Sequence, residues 1–110
     1  MEVKVPEHYK RFQRQHPEIW QAYDRLGTAV HGAGPLDAKT RELVKLALTI
    51  GSRHEGGVHA HTRLALQHGA SPDEIRHAVF LALTTLGFPA MMAASSWVED
   101  ILSDAGKAHA

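Results

Sequence analysis

Nine histidines among 110 residues put imidazole first among the groups to consider, since it titrates near about pH 6.5 and binds metal ions. Three of them crowd into Arg53-His54-Glu55-Gly56-Gly57-Val58-His59-Ala60-His61. A helix through residues 58–67 puts His61 on the face of Val58, Leu64 and Ala65 and turns His59 about 160° away, so those two cannot hold one ion between them. His61 then points inward, either as a satisfied core histidine or as a working acid/base. His8, His16, His31 and His68 fit solvated or capping positions at helix ends, and His109 lies in the tail.

Glu42 is the carboxylate to weigh beside them. It stands one helical turn before Leu46, at the edge of an apolar stripe, where it is either drawn into the interior or paired on the surface with Lys39, Lys45 or Lys107. Other chemistries find less support. The chain has no cysteine, which excludes a disulfide framework, an iron–sulfur cluster, a thiolate zinc site and thiol peroxidase chemistry. Gly56-Gly57 precedes a helix, but no strand, third glycine or Gly-Lys-Ser/Thr accompanies it, so a phosphate loop is poorly supported. None of Ser52, Ser71, Ser95, Ser96 and Ser103 stands in a Gly-x-Ser-x-Gly setting. Twelve basic residues balance twelve acidic ones without like-charged blocks, which argues against a nucleic-acid partner.

The elements that must position these side chains are helical throughout. After a poorly patterned stretch to His16, Pro17-Glu18 opens a helix through Trp20, Tyr23 and Leu26, which His31-Gly32-Ala33-Gly34-Pro35 ends. Asp37 is the expected N-cap of the next helix, in which Leu43, Leu46, Ala47 and Ile50 form a stripe. A third runs through Val58, His61, Leu64 and Ala65 to a C′ glycine at Gly69. Ser71-Pro72-Asp73-Glu74 is a capping box with proline at N1, and the helix it starts carries Ile75, Val79, Ala82 and Leu86. Gly87-Phe88 turns, and Pro89 opens a last helix through Met92, Trp97 and Ile101 to Gly106, with residues 105–110 as a frayed tail. No strand pattern competes, so the expectation is one all-α domain over residues 1–110 with five or six helices.

Residues 78–98 carry no charge, yet Gly87-Phe88-Pro89 interrupts them and Thr84, Thr85, Ser95 and Ser96 dilute them, which predicts two buried helices joined by a turn rather than a membrane span. Helices so apolar in a small bundle predict a homo-oligomer that covers them. Met1-Glu2-Val3-Lys4-Val5-Pro6 has no apolar signal region, so the expected location is cytoplasmic, with neither a membrane nor a nucleic acid as partner.

Read in order, Leu36-Asp37-x-x-Thr40-Arg41-Glu42-Leu43-Val44-x-Leu46-Ala47, then residues 53–61, then Leu64-Ala65-Leu66-x-x-Gly69-Ala70-Ser71-x-x-Glu74-Ile75, then Gly87-Phe88-Pro89-Ala90, resemble the carboxymuconolactone decarboxylase family, which includes alkylhydroperoxidase D. The resemblance covers roughly residues 20 to 104. It implies a small all-α subunit of a trimer or hexamer with its site between helices. In the peroxidase branch a glutamate is followed twelve residues later by Cys-x-x-Cys and four residues after that by histidine. Glu42 and His61 match the outer two, while the cysteine positions fall on His54 and Gly57 and a relay histidine falls on Gly56. The thiolate that attacks peroxide and the thiol that resolves it are both missing, so that reaction is closed to this chain. In the decarboxylase branch, which acts on a lactone without metal or organic cofactor, Gly87-Phe88-Pro89 is similar to a Gly-Trp-Pro turn, and His77 stands where a glutamate is expected.

The resemblance and the residues together imply cofactor-free acid/base chemistry, decarboxylation or isomerisation of a small carboxylate or lactone. Glu42 and His61 form its proton-transfer pair, with His54 as a second base or donor. Arg53, if not paired with Glu55 or a helix C-terminus, steers the anion, and His77 is the other candidate for contacting substrate. One alternative makes Glu42, His54 and His61 a two-histidine, one-carboxylate site for Zn or non-haem Fe. Another is a non-catalytic oligomeric binding protein that lost its redox pair and activity together.

Overall fold

The computed structural model describes the backbone of residues 5–108 and the side chains of residues 5–104, so His109 and the Lys107 side chain lie outside the described residues, as do Met1 to Lys4 of the leader reading. Among the described residues the chain is all helix: α1 (Glu7–Gln15), α2 (Pro17–His31), α3 (Ala38–Gly51), α4 (Glu55–Gln67), α5 (Pro72–Leu81), α6 (Leu83–Leu86) and α7 (Phe88–Ala108). Six are true helices and α6 is a single turn. Among the described residues no helix is long and apolar enough to cross a membrane.

The described residues divide by their contacts into two compact units, residues 5–37 and the part from Ala38 onward. The first holds α1 and α2, in which no residue is buried. Its opening helix corrects the expectation of a poorly patterned stretch. Charged and amide side chains favour a helix without marking an apolar face, and Glu7 and Arg14 pair along it at 3.3 Å.

The second unit contains the core. Leu46 and Ile50 of α3, Val58 and Ala65 of α4, Ile75 and Val79 of α5, and Met91, Ala94, Val98 and Leu102 of α7 pack together. Each of the larger ones contributes roughly 1.5–3 kcal/mol by leaving water. Local signals set the helix ends. α3 begins directly after Asp37, and the Ser71 capping box is closed in both directions, Glu74 N–H to Ser71 Oγ at 3.0 Å and Ser71 N–H to Glu74 Oε1 at 2.9 Å. Gly69 ends α4 with a φ of 96°, as its expected C′ role requires. Gly87, with a φ of 102°, lets the chain reverse into α7. Rather than fraying from residue 105, α7 stays helical to Ala108.

Polar contacts fasten the helices at the surface: the ion pair of Lys39 and Glu74 at 3.0 Å joins α3 to α5, Arg76 grips Glu99 of α7 with two bonds, and His59 hydrogen-bonds Asp100 at 3.1 Å. Each such exposed pair stabilises by about 1 kcal/mol or less. One expectation is corrected here. The uncharged run is not simply two buried helices, because α5, α6 and α7 split it, and Phe80, Leu81, Leu83, Leu86, Phe88 and Met92 are all exposed. A four-helix core of this size can turn only one side of each helix inward.

Candidate functional site

The α3 face that meets α4 carries Glu42 and Leu46, and the α4 face that answers it carries Val58, His61, Thr62 and Ala65. Between them Glu42 and His61 are brought together, Oε2 to Nδ1, at 3.0 Å. Glu42 is 5% exposed, so of the two positions open to it the structure takes the interior one, and Lys39 is engaged by Glu74 instead. A buried carboxylate needs hydrogen-bond donors, and the imidazole is one. Thr62, fully buried beside His61, satisfies its hydroxyl locally on the Val58 carbonyl at 2.7 Å.

The geometry orients the ring. With Glu42 ionised, Nδ1–H donates to the carboxylate, which leaves the lone pair on Nε2. Nε2 has no protein partner among the described residues, and the His61 side chain keeps 22% of its surface open. This is the arrangement of an oriented base: a carboxylate sets the tautomer and steadies the charge that the ring acquires when Nε2 takes a proton.

His54 is placed differently. It caps α4, its Nδ1 accepting the Gly57 N–H at 2.7 Å, and it is exposed. Gly57 is needed for this, because a Cβ there would sit 2.7 Å from Thr49 Cγ2 and 2.9 Å from His54 Nδ1. The two glycines that looked like a phosphate loop therefore serve a tight α3–α4 junction. Among the described residues no three His, Asp or Glu side chains form a group able to hold a metal ion, so Glu42, His54 and His61 do not gather into such a set.

Arg53 occupies the turn between α3 and α4 with a φ of 56°, alone among the described non-glycine residues in having a positive φ. Its N–H bonds to the Ile50 carbonyl and the His54 N–H to the Thr49 carbonyl, which together make a Schellman ending with arginine in the seat glycine usually takes. The side chain is exposed and forms no ion pair, with Glu55 or any other described residue.

His77 belongs to another place. It lines an open groove of about 520 Å³ whose walls are Leu43, Val44 and Ala47 of α3 and Ala78, Leu81 and Leu86 of α5 and α6, with Glu74 at its edge. The Ser71 backbone N–H, followed by the Lys39 ammonium, holds the Glu74 carboxyl below its ordinary range. On α3 the groove face and Glu42 point about 140° apart, so the groove and the Glu42–His61 pair lie on different sides of that helix. The groove escaped the sequence because its apolar residues have the spacing of a core. The His54 cap had a faint signal in a polar residue three before Gly57, ahead of a helix.

Comparison with known proteins bears on all of this. Residues 17–100 match the family model described as carboxymuconolactone decarboxylase family. A stretch of 52 residues is 44% identical to an uncharacterized protein of Haemophilus influenzae, taking in 47% of this chain and 46% of that protein, so the chain's match spans about half the length of that curated relative. The crystal structure of the apo form of a carboxymuconolactone decarboxylase family protein from Legionella pneumophila superposes with a TM-score of 0.76 at 25% identity, over 87% of this chain and 86% of that one.

Proposed function

This chain belongs to the carboxymuconolactone decarboxylase family, and we propose that within it the protein is an acid/base enzyme, decarboxylating or isomerising a small carboxylate or lactone with side chains alone. The observation that carries this is the Glu42–His61 bond, which leaves Nε2 of an oriented imidazole unpartnered. In the proposed reaction Nε2 removes a proton from carbon beside a carbonyl, or, having first taken a proton from water, delivers it to the carbanion left when carbon dioxide departs. Glu42 holds the ring in the required tautomer and offsets its transient charge, a contribution of roughly 10²–10⁴ in rate for a well-placed base.

Arg53, exposed and without a counter-ion at the α3–α4 turn, is assigned to the substrate carboxylate, where a planar guanidinium matches two oxygens at once. His54 serves this site by capping α4, the helix that carries His61, rather than as a base, since its Nδ1 is already engaged. His77, in the groove on the far side of α3, is assigned no part in the proton transfer. We further propose a homo-oligomer, because the exposed Phe80, Leu83, Phe88 and Met92 require cover.

The test is turnover on a panel of small lactones and unsaturated carboxylates, followed by carbon dioxide release and by ultraviolet absorbance. Loss of activity in both Glu42→Gln and His61→Asn, with helical circular dichroism unchanged, is the expected result. Activity surviving in both would remove the basis of the assignment.

A further inference from the structure

The facing sides of α3 and α4 touch closely at two places. At one, Glu42 meets His61. At the other, nearer the turn, Thr49 faces Gly57, where a Cβ would stand 2.7 Å from the Thr49 methyl and 3.2 Å from Thr49 Cβ. Glu42 and Thr49 are seven residues apart on α3, and Gly57 and His61 are four apart on α4, so each pair occupies one stripe of its helix, with a rise of about 10 Å and about 6 Å between its members. Leu46 and Val58, both fully buried, belong to the same two faces.

The contact near the turn is held firmly. Thr49 Oγ1 donates to the Leu46 carbonyl at 2.8 Å, which keeps the rotamer that turns the methyl toward Gly57. The Thr49 carbonyl accepts the His54 N–H at 3.0 Å and ties the start of α4 to the end of α3. Carbon atoms in contact rest about 3.5–4.0 Å apart, so a methyl on residue 57 would press α4 away from α3 by about 1 Å. His61 lies one turn further along the same stripe. Its bond to Glu42, at 3.0 Å, has little room for such a shift, since an interaction of this kind is no longer a hydrogen bond by about 3.6 Å. We infer that Gly57 and Thr49 are positioning residues for His61. The bare backbone at 57, filled by the Thr49 methyl, sets the α3–α4 spacing at which Glu42 reaches Nδ1, and that bond keeps the proton on Nδ1 and the lone pair on Nε2. The consequence for turnover rests on the acid/base proposal, and the consequence for the imidazole rests on geometry alone.

The test reads the His61 ring in the full chain by proton–nitrogen correlation of its imidazole, assigned with His61→Asn and recorded at a pH that leaves the ring neutral, beside circular dichroism and steady-state kinetics. The unmodified protein should hold the Nδ1–H tautomer. Gly57→Ala should shift the ring toward Nε2–H and lower kcat by up to about 100-fold with KM little changed, and Thr49→Ser/Gly57→Ala should return both part of the way. Thr49→Ile, which adds bulk to the same contact from α3 and leaves the α4 cap untouched, should shift the ring in the same direction, so the outcome does not hang on Gly57→Ala folding. Two controls separate spacing from lost stability: Gly56→Ala, whose added carbon meets nothing closer than His54 Cε1 at 3.5 Å, and Val79→Ala, which hollows the core on α5. Both should leave the Nδ1–H tautomer in place. A Gly57→Ala or Thr49→Ile chain that folds and keeps the unmodified spectrum, or a control that moves the ring as far, would overturn the inference. The spectrum is taken without substrate, so a shifted ring with kcat intact, or with no turnover in the unmodified protein, counts against the acid/base proposal alone.

Discussion

His54 and Gly57 occupy one small space at the start of α4: the imidazole accepts the glycine N–H at 2.7 Å, and its Nδ1 stands 2.9 Å from where a side chain on residue 57 would begin. Thr49 closes the other side, its methyl 2.7 Å from the same point. Gly57→Ala should therefore lower stability by about 1–3 kcal/mol through overpacking, despite the better helix propensity of alanine. Thr49→Ser removes the methyl while keeping the hydroxyl that donates to the Leu46 carbonyl, so Thr49→Ser/Gly57→Ala should recover part of the loss. His54→Ala, which removes the cap, should cost about 1 kcal/mol. Urea unfolding of the three variants beside the unmodified protein checks all three statements.

The Glu42–His61 pair predicts separable effects on stability and turnover. Glu42→Gln keeps the volume and a hydrogen bond, so its cost in stability should be about 1 kcal/mol, while under the proposed acid/base role the lost orientation and charge should reduce turnover. His61→Leu deprives a buried carboxylate of a donor and should cost more, about 3 kcal/mol or above. The double variant Glu42→Leu/His61→Leu should be more stable than His61→Leu alone, since it removes the buried carboxylate along with the donor that faced it. Denaturation midpoints measured beside turnover decide it. A double variant less stable than His61→Leu would show that the pair is not what makes Glu42 tolerable in the core.

What the sequence made legible was local. Ser71-Pro72-Asp73-Glu74 announces a helix start because every bond of the cap lies within four residues, and Gly69 and Gly87 mark turns for the same reason. Glu42 was ambiguous because its fate depends on His61, nineteen residues away on another helix, and periodicity on α3 placed it only at the edge of the stripe. The face of α5 to α7 misled because an apolar residue awaiting cover has the same spacing as one already buried: Val79 and Phe80 are both apolar, and only packing decides that the first is core and the second exposed. His54 read as a second base or a donor because spacing does not show that its Nδ1 accepts the Gly57 N–H, which leaves Nε2–H as a donor.

Arg53 holds a backbone conformation that costs an L-residue about 1–2 kcal/mol and that glycine adopts freely. Arg53→Gly should relieve that strain and, after the entropy glycine returns to the unfolded chain, raise stability by up to about 1 kcal/mol. If the guanidinium receives the substrate carboxylate, the same variant should raise KM while leaving kcat nearly intact, and Arg53→Lys should keep the strain and part of the binding. Melting temperature and steady-state kinetics on the same preparations make the check. A variant that is more stable and kinetically unchanged would retain the account of the turn and remove Arg53 from the site.

Glu74 links the α5 cap to α3, and its carboxyl is held below the ordinary range by the Ser71 backbone N–H first and the Lys39 ammonium next. A carboxyl with a depressed pKa in the folded state binds its proton more readily once unfolded, so its contribution to stability is complete above the ordinary glutamate value of about 4.3. That contribution is lost progressively as pH falls from there through the lower folded value. The group is exposed, so salt and solvent weaken the effect, and 1 M salt should reduce the Lys39 share while sparing the backbone bond. The melting temperature of the unmodified protein should accordingly fall more steeply below about pH 4.3 than that of Glu74→Gln, with Ser71→Ala between them. Parallel acid limbs for Glu74→Gln and the unmodified protein would show that the cap does not draw on the carboxylate charge.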